Sequence, residues 1–116
     1  MLVVWNGTSL APLSYRDWLW GQNTYVSSVA LGNITGGNSL DIVTGGYYND
    51  GSLNNAQVIS WNSTTLSQNS LANWFTIGST QIASVATGDS GLGNRIVATG
   101  QYFDNTRSVA QLTVLG

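Results

Sequence analysis

The feature that most constrains this chain is an internal repeat. Shifting the sequence by 56 residues lays positions 2–32 over 58–88, with 11 identities in 31 places. Trp5, Asn6, Thr8 and Leu10 fall on Trp61, Asn62, Thr64 and Leu66, and Trp18 falls on Trp74. Ser28, Val29, Ala30 and Gly32 then fall on Ser84, Val85, Ala86 and Gly88. Beyond Gly32 the offset drops to 54, because one loop is two residues shorter in the second copy. Ile42, Val43, Gly46, Tyr48, Asp50, Ala56 and Gln57 match Ile96, Val97, Gly100, Tyr102, Asp104, Ala110 and Gln111, which adds 7 identities in 22 places. A unit of 54–56 residues that recurs with a single short indel is one supersecondary unit used twice.

Each unit contains four strand-like segments bounded by Gly, Asn, Asp and Ser clusters. Segment A is 26–32 and 82–88, segment B is 40–48 and 95–103, and segment D is 15–21 and 73–79. Segment C occurs three times, at 2–6, 56–62 and 110–116. The continuous apolar runs in SVALG and IVTGG predict strands covered on both faces. Four strands per repeat are the pattern of β-propeller blades. The fold class expected is therefore all-β, a propeller of four-stranded blades with about two blades in the chain.

Composition supports strands and removes most chemistry. Only 7% of residues are charged, against roughly 25% in ordinary domains. There is no Lys, Glu, His or Cys, whereas Gly, Ser, Thr and Asn number 14, 14, 12 and 12. Five Trp, five Tyr and many β-branched residues separate the chain from disordered sequences. Three arginines and a net charge of −2 do not match a phosphate backbone, so no nucleic-acid partner is expected. Zinc sites, thiol chemistry, Ser-His triads and disulfides lack their residues. No apolar run approaches the ~20 residues of a membrane span, and no signal-like segment opens the sequence. Neither membrane insertion nor a cofactor is expected.

The string SVALGNITGGNSLDIVTGG, with FTIGSTQIASVATGD in the second copy, resembles the FG-GAP propeller repeat of integrin-α and VCBS-like proteins. Phe75 and Gly78 resemble its FG opening, and the similarity spans most of the chain. The resemblance implies blades whose strands run A to D outward from a central axis. It also implies a calcium loop, with Asn33 at the first liganding position and Asp41 at the last. That loop is degenerate here. Gly37 replaces a middle carboxylate, while the second copy keeps Asp89 but carries Arg95 where Asp41 stood. Calcium wants six to eight oxygens, so no metal is expected.

The segments run C, D, A, B, C, D, A, B, C, which leaves one complete blade at 26–79. Residues 1–25 supply a C–D pair, and 80–116 supply an A–B pair plus a repeated C. Two blades cannot close a ring, for which about four are needed. The chain is then either a fragment of a longer propeller or a subunit that closes a cyclic homo-oligomer of three or four copies. A mid-blade start and open strand edges with little charge to blunt them favour assembly. In that ring one surplus C segment, either 2–5 or 112–115, is expected to be displaced or to pack peripherally.

Among candidate sites, Trp5, Trp18, Trp61 and Trp74 recur at repeat spacing and are expected between blades. Tyr48, Asp50, Tyr102 and Asp104 lie at B–C turns, with Trp20 near a D–A connection on the same propeller face. Aromatic planes beside Asp and Asn suit sugars, so carbohydrate is the candidate small partner. The expected role is a non-catalytic scaffold or binding surface, with a lectin-like or adhesion module as the alternative. A hydrolase using Asp50 and Asp104 stands third, since repeat-related aspartates sit symmetrically and do not form an acid/base pair. The sequons at Asn6, Asn33 and Asn62 agree with an extracellular or cell-surface origin.

Overall fold

The computed structural model describes residues 1–91 and 93–116. Among them are nine β-strands and no helix. They are β1 (Leu2–Trp5), β2 (Pro12–Arg16), β3 (Asn23–Gly32), β4 (Asp41–Asn49), β5 (Asn54–Asn62), β6 (Gln68–Trp74), β7 (Thr80–Asp89), β8 (Asn94–Phe103) and β9 (Ser108–Leu115). They form three antiparallel sheets in chain order: β1–β2, β3–β4–β5–β6 and β7–β8–β9. The fold is all-β.

The middle sheet is packed on both faces. Side chains alternate along a strand, so β4 and β5 present two apolar rows. Val43, Ala56 and Val58 join Ile82, Val85, Ile96 and Ala98 of the third sheet in one core. Ile42, Ile59, Trp61 and the loop residue Leu66 join Leu2 of β1 in the other, with Val4, Trp18 and Leu71 against them. This accounts for the unbroken burial of β4 from Asp41 to Gly46. β3 departs from the expectation of burial on both faces. Its Val29 and Leu31 side chains are exposed, because β1–β2 is too narrow to reach them.

Segment D is shifted from its expected position. The strands are 12–16 and 68–74, and residues 17–22 and 75–79 are connections. Polar β6 holds its place through the ladder to β5, which includes a Ser60–Ser70 hydroxyl pair at 2.7 Å. Trp74, the last residue of β6, packs against the core between the middle and third sheets, and Phe75 beyond it is exposed. The C–D turns are built alike in both repeats. Asn6 Oδ1 accepts the N–H groups of Thr8 and Ser9, as Asn62 Oδ1 accepts those of Thr64 and Thr65. Leu10 and Leu66 close these turns with φ of 58° and 56°. Both terminal C segments are strands, β1 pairing with β2 and β9 with β8.

Candidate functional site

The connections 17–22 and 50–53 meet at one end of the middle sheet, where the backbone N–H of Gln22 donates to Asn49 O at 2.8 Å. Thr24 Oγ1 fixes Trp20 twice, accepting its N–H at 2.6 Å and donating to its carbonyl at 3.0 Å. The next residue, Gly21, has φ of 57°, and a Cβ there would lie 3.0 Å from the Asn49 carbonyl carbon. Only glycine turns the chain this close to β4. The Trp20 indole, partly exposed, consequently leans on Tyr48, with centroids 5.8 Å apart and planes tilted by 43°. Trp20 and Tyr48 are thus brought together, with Asp50 in the adjoining turn.

Asp50 is committed to that turn. Its Oδ1 accepts the N–H groups of Ser52 and Leu53 and the Ser52 hydroxyl, and its Oδ2 accepts Asn55 Nδ2. The Leu53 and Ser52 N–H groups, then the Asn55 amide, lower its pKa to about 2. Asp104 repeats the arrangement with the Thr106 hydroxyl and the N–H groups of Thr106 and Arg107, and is likewise held below the usual carboxylate range. Arg107 Nε adds a contact at 3.4 Å. Tyr102 sits at the same end of the third sheet, opposite Thr80 and Val109, with a connection there tied by the Phe103 N–H donating to Ser79 O. Position 76 carries Thr where the first repeat has Trp20, so the aromatic pair is not duplicated.

These turns carry a testable pH dependence. A folded pKa below the unfolded value contributes stability above about pH 4, and that contribution disappears as pH falls towards 2. Asp50→Asn is expected to lower the urea midpoint at pH 6 and to flatten its decline between pH 4 and 2. A parallel decline in variant and parent would refute this.

At the opposite end, Asp41 is buried and fully engaged. Its Oδ2 accepts Ile34 N–H at 3.0 Å, Thr35 N–H at 2.9 Å and Thr35 Oγ1 at 2.9 Å, while Oδ1 accepts Asn69 Nδ2 at 3.2 Å. Asn33 folds back on its own loop, accepting Gly36 N–H and donating to Gly37 O, both at 2.9 Å. Asp89 Oδ1 accepts Gly91 N–H at 2.8 Å. The loop's acceptors are thus turned inward, and no cluster of three or more acidic side chains occurs among the described residues.

The intersheet contacts include a pairing whose function sequence reasoning had not recognised. Trp18 Nε1 donates to Gln57 Oε1 at 3.2 Å, and Trp74 Nε1 donates to Gln111 Oε1 at 3.3 Å. Each glutamine then donates onward, Gln57 to Asn73 Oδ1 and Gln111 to Thr76 Oγ1. Both residue pairs are repeat matches, and that coincidence was the available signal. Trp61 is the inner counterpart, its ring 4.7 Å from that of Trp18 with the planes tilted by 50°, and its Nε1 donates to Thr44 Oγ1 at 2.9 Å. Trp5 differs, lying exposed on the outer side of β1. No family model, curated protein or solved structure matches the chain.

Proposed function

We propose that this chain is an FG-GAP-like β-propeller repeat module that closes a ring with copies of itself and acts as a non-catalytic scaffold or binding surface. The observation that carries this reading is a contrast between repeat-equivalent positions. Trp61 is 1% exposed and Leu66 2%, but their counterparts Trp5 and Leu10 are 54% and 70% exposed. On the other side Val58 is 3% exposed and its counterpart Leu112 is 66%. Residue types that fill the cores between sheets recur on the two outermost faces.

The two open faces belong to opposite sides of the repeat. One copies the side of the middle sheet that meets the third sheet, and the other copies the side that meets β1–β2. Such faces associate head to tail, and a head-to-tail contact that closes gives a ring. Light scattering at tens of micromolar is expected to report three or four times the 12.3 kDa chain mass. A species of 12.3 kDa at every concentration would overturn the proposal.

A further inference from the structure

Resting on that ring reading, we infer that copies join by strand exchange: β1–β2 of one copy extends β7–β8 of the next, replacing Leu112–Leu115 of β9. The partner is therefore a second copy of this chain, and the seam is a composite sheet in the order β7, β8, β1, β2. Four observations converge on it.

The first is an open place of the right shape. Among the described residues β1 pairs only with β2, which leaves its other edge open. Beside that edge, over β3, run two adjoining grooves of about 380 Å³ each, one apolar and lined by Leu2, Val3, Val29, Leu31 and Ile42 among others, the other of mixed lining that adds Ser27, Ser28 and Thr44. In the middle sheet the corresponding edge, that of β5, is occupied by β4. The missing pair is thus an A–B hairpin, which in this chain is β3–β4 or β7–β8. Since β3–β4 is already in a complete sheet, β7–β8 of another copy is the available one.

The second is register. Leu2–Trp5 and Leu112–Leu115 are both repeats of Val58–Trp61. Val58, Ile59, Ser60 and Trp61 face Gly45, Thr44, Val43 and Ile42 on β4, and Leu112–Leu115 face Thr99, Ala98, Val97 and Ile96 on β8. Leu2, Val3, Val4 and Trp5 would take those same four places. The half of β9 before them stays, because Gln111 is held by Trp74 and Thr76. Ala110–Gln111 followed by Leu2–Asn6 of the partner then reads AQLVVWN, where the uninterrupted strand β5 reads AQVISWN.

The third is the choice between the two candidates for displacement. Trp61 fills its junction by packing at a tilt against Trp18, whose repeat counterpart is Trp74. Leu115 now packs against the same core as Trp74, in the place that corresponds to Trp61. Trp5 supplies the indole that this junction has in the other copy. Leu10 comes with it, an exposed leucine held at positive φ, whose counterpart Leu66 offsets the same backbone strain by burial.

The fourth is Gly88. At its counterpart Gly32 a Cβ would lie 2.6 Å from Thr87 Cβ across the sheet junction, but among the described residues nothing lies within 4 Å of a Cβ at Gly88. In the composite seam Gly88 faces Leu31 of the second copy, the counterpart of Thr87.

The chain has no cysteine, so a Val3→Cys/Ala98→Cys variant tests the seam directly. The model for that pair is Ile59 and Thr44, opposed in adjacent strands, within disulfide reach. Within one chain the middle sheet separates the two positions by two sheet spacings, roughly 20 Å. Oxidation is expected to give covalent multimers up to the mass seen by light scattering. Oligomers without that cross-link would overturn the exchange and leave the ring reading standing. A monomer would overturn both and leave the groove to another occupant. A chain ending at Gln111 is expected to keep the oligomer mass, and its collapse to monomer would show that Leu112–Leu115 belongs to the seam. Trp5→Ala is expected to raise the concentration needed for assembly at least tenfold with unchanged far-UV circular dichroism, and assembly like the parent would refute the role given to Trp5.

Discussion

Replacing Trp61 by alanine is expected to destabilise the chain by about 3–5 kcal/mol, the range for removing a buried large aromatic. The side chain is buried in the core between β1–β2 and the middle sheet. Its loss removes the tilted ring contact with Trp18 at 4.7 Å and leaves Thr44 Oγ1 without its indole donor. It also opens a void that β1, tied to only one neighbouring strand, covers poorly. A domain's whole stability is about 5–15 kcal/mol, so the first hairpin should detach or the chain unfold. Trp61→Phe separates the contributions. It keeps a ring in the core and loses the hydrogen bond, for which about 1 kcal/mol is expected. Urea unfolding at fixed protein concentration measures both. A loss below about 1 kcal/mol for Trp61→Ala would mean that the first hairpin contributes little to the fold.

The repeat makes much of this architecture legible in the sequence. Strands A, B and C lie where β-branched runs end at Gly, Asn and Asp, and the antiparallel order of the sheets follows the chain. Strand D lies before the segment that the aromatic runs predict, for a physical reason. β6 begins Gln68-Asn69-Ser70, which carries no apolar pattern, and its pairing is set by the turn before it. That turn needs Leu66 at positive φ, a conformation no leucine advertises in sequence. The exposure of β3 was also unreadable, since Val29 and Leu31 are as apolar as any core strand. What leaves them open is the width of the neighbouring sheet. At the candidate site, residue types identified the Asp50 and Asp104 turns and the Trp20–Tyr48 neighbourhood. The inward engagement of both carboxylates depended on backbone N–H directions that composition does not carry.

Two glycines in β4 and β8 should respond very differently from their neighbours. The β3–β4 and β7–β8 ladders each shift register, between Val26 and Ser28 and between Ile82 and Ser84, leaving Ser27 and Ala83 as bulged residues. Opposite the bulges stand Gly46 and Gly100. A Cβ on Gly46 would lie 2.9 Å from the Tyr25 carbonyl carbon and 3.0 Å from Val26 Cα, and closer still to Tyr25 O. Gly100 meets Gln81 and Ile82 in the same way. These obstacles are backbone atoms, so no rotamer change relieves them and the two strands must part. Gly46→Ala and Gly100→Ala are each expected to lose about 3 kcal/mol, the upper part of the overpacking range. Gly45 has another constraint, since its Cβ would meet side chains of the third sheet, 2.9 Å from Ile82 Cγ2. Its counterpart is Thr99, on a face that is open in the single chain. Gly45→Ala should therefore lose less, about 1–2 kcal/mol, as Val85 and Ile82 adjust. Gly37→Ala, with nothing within 4 Å among the described residues, should be nearly neutral. Urea midpoints across the four variants provide the test. If Gly46→Ala behaved like Gly37→Ala, the bulge would not be the element that holds β3 and β4 this close.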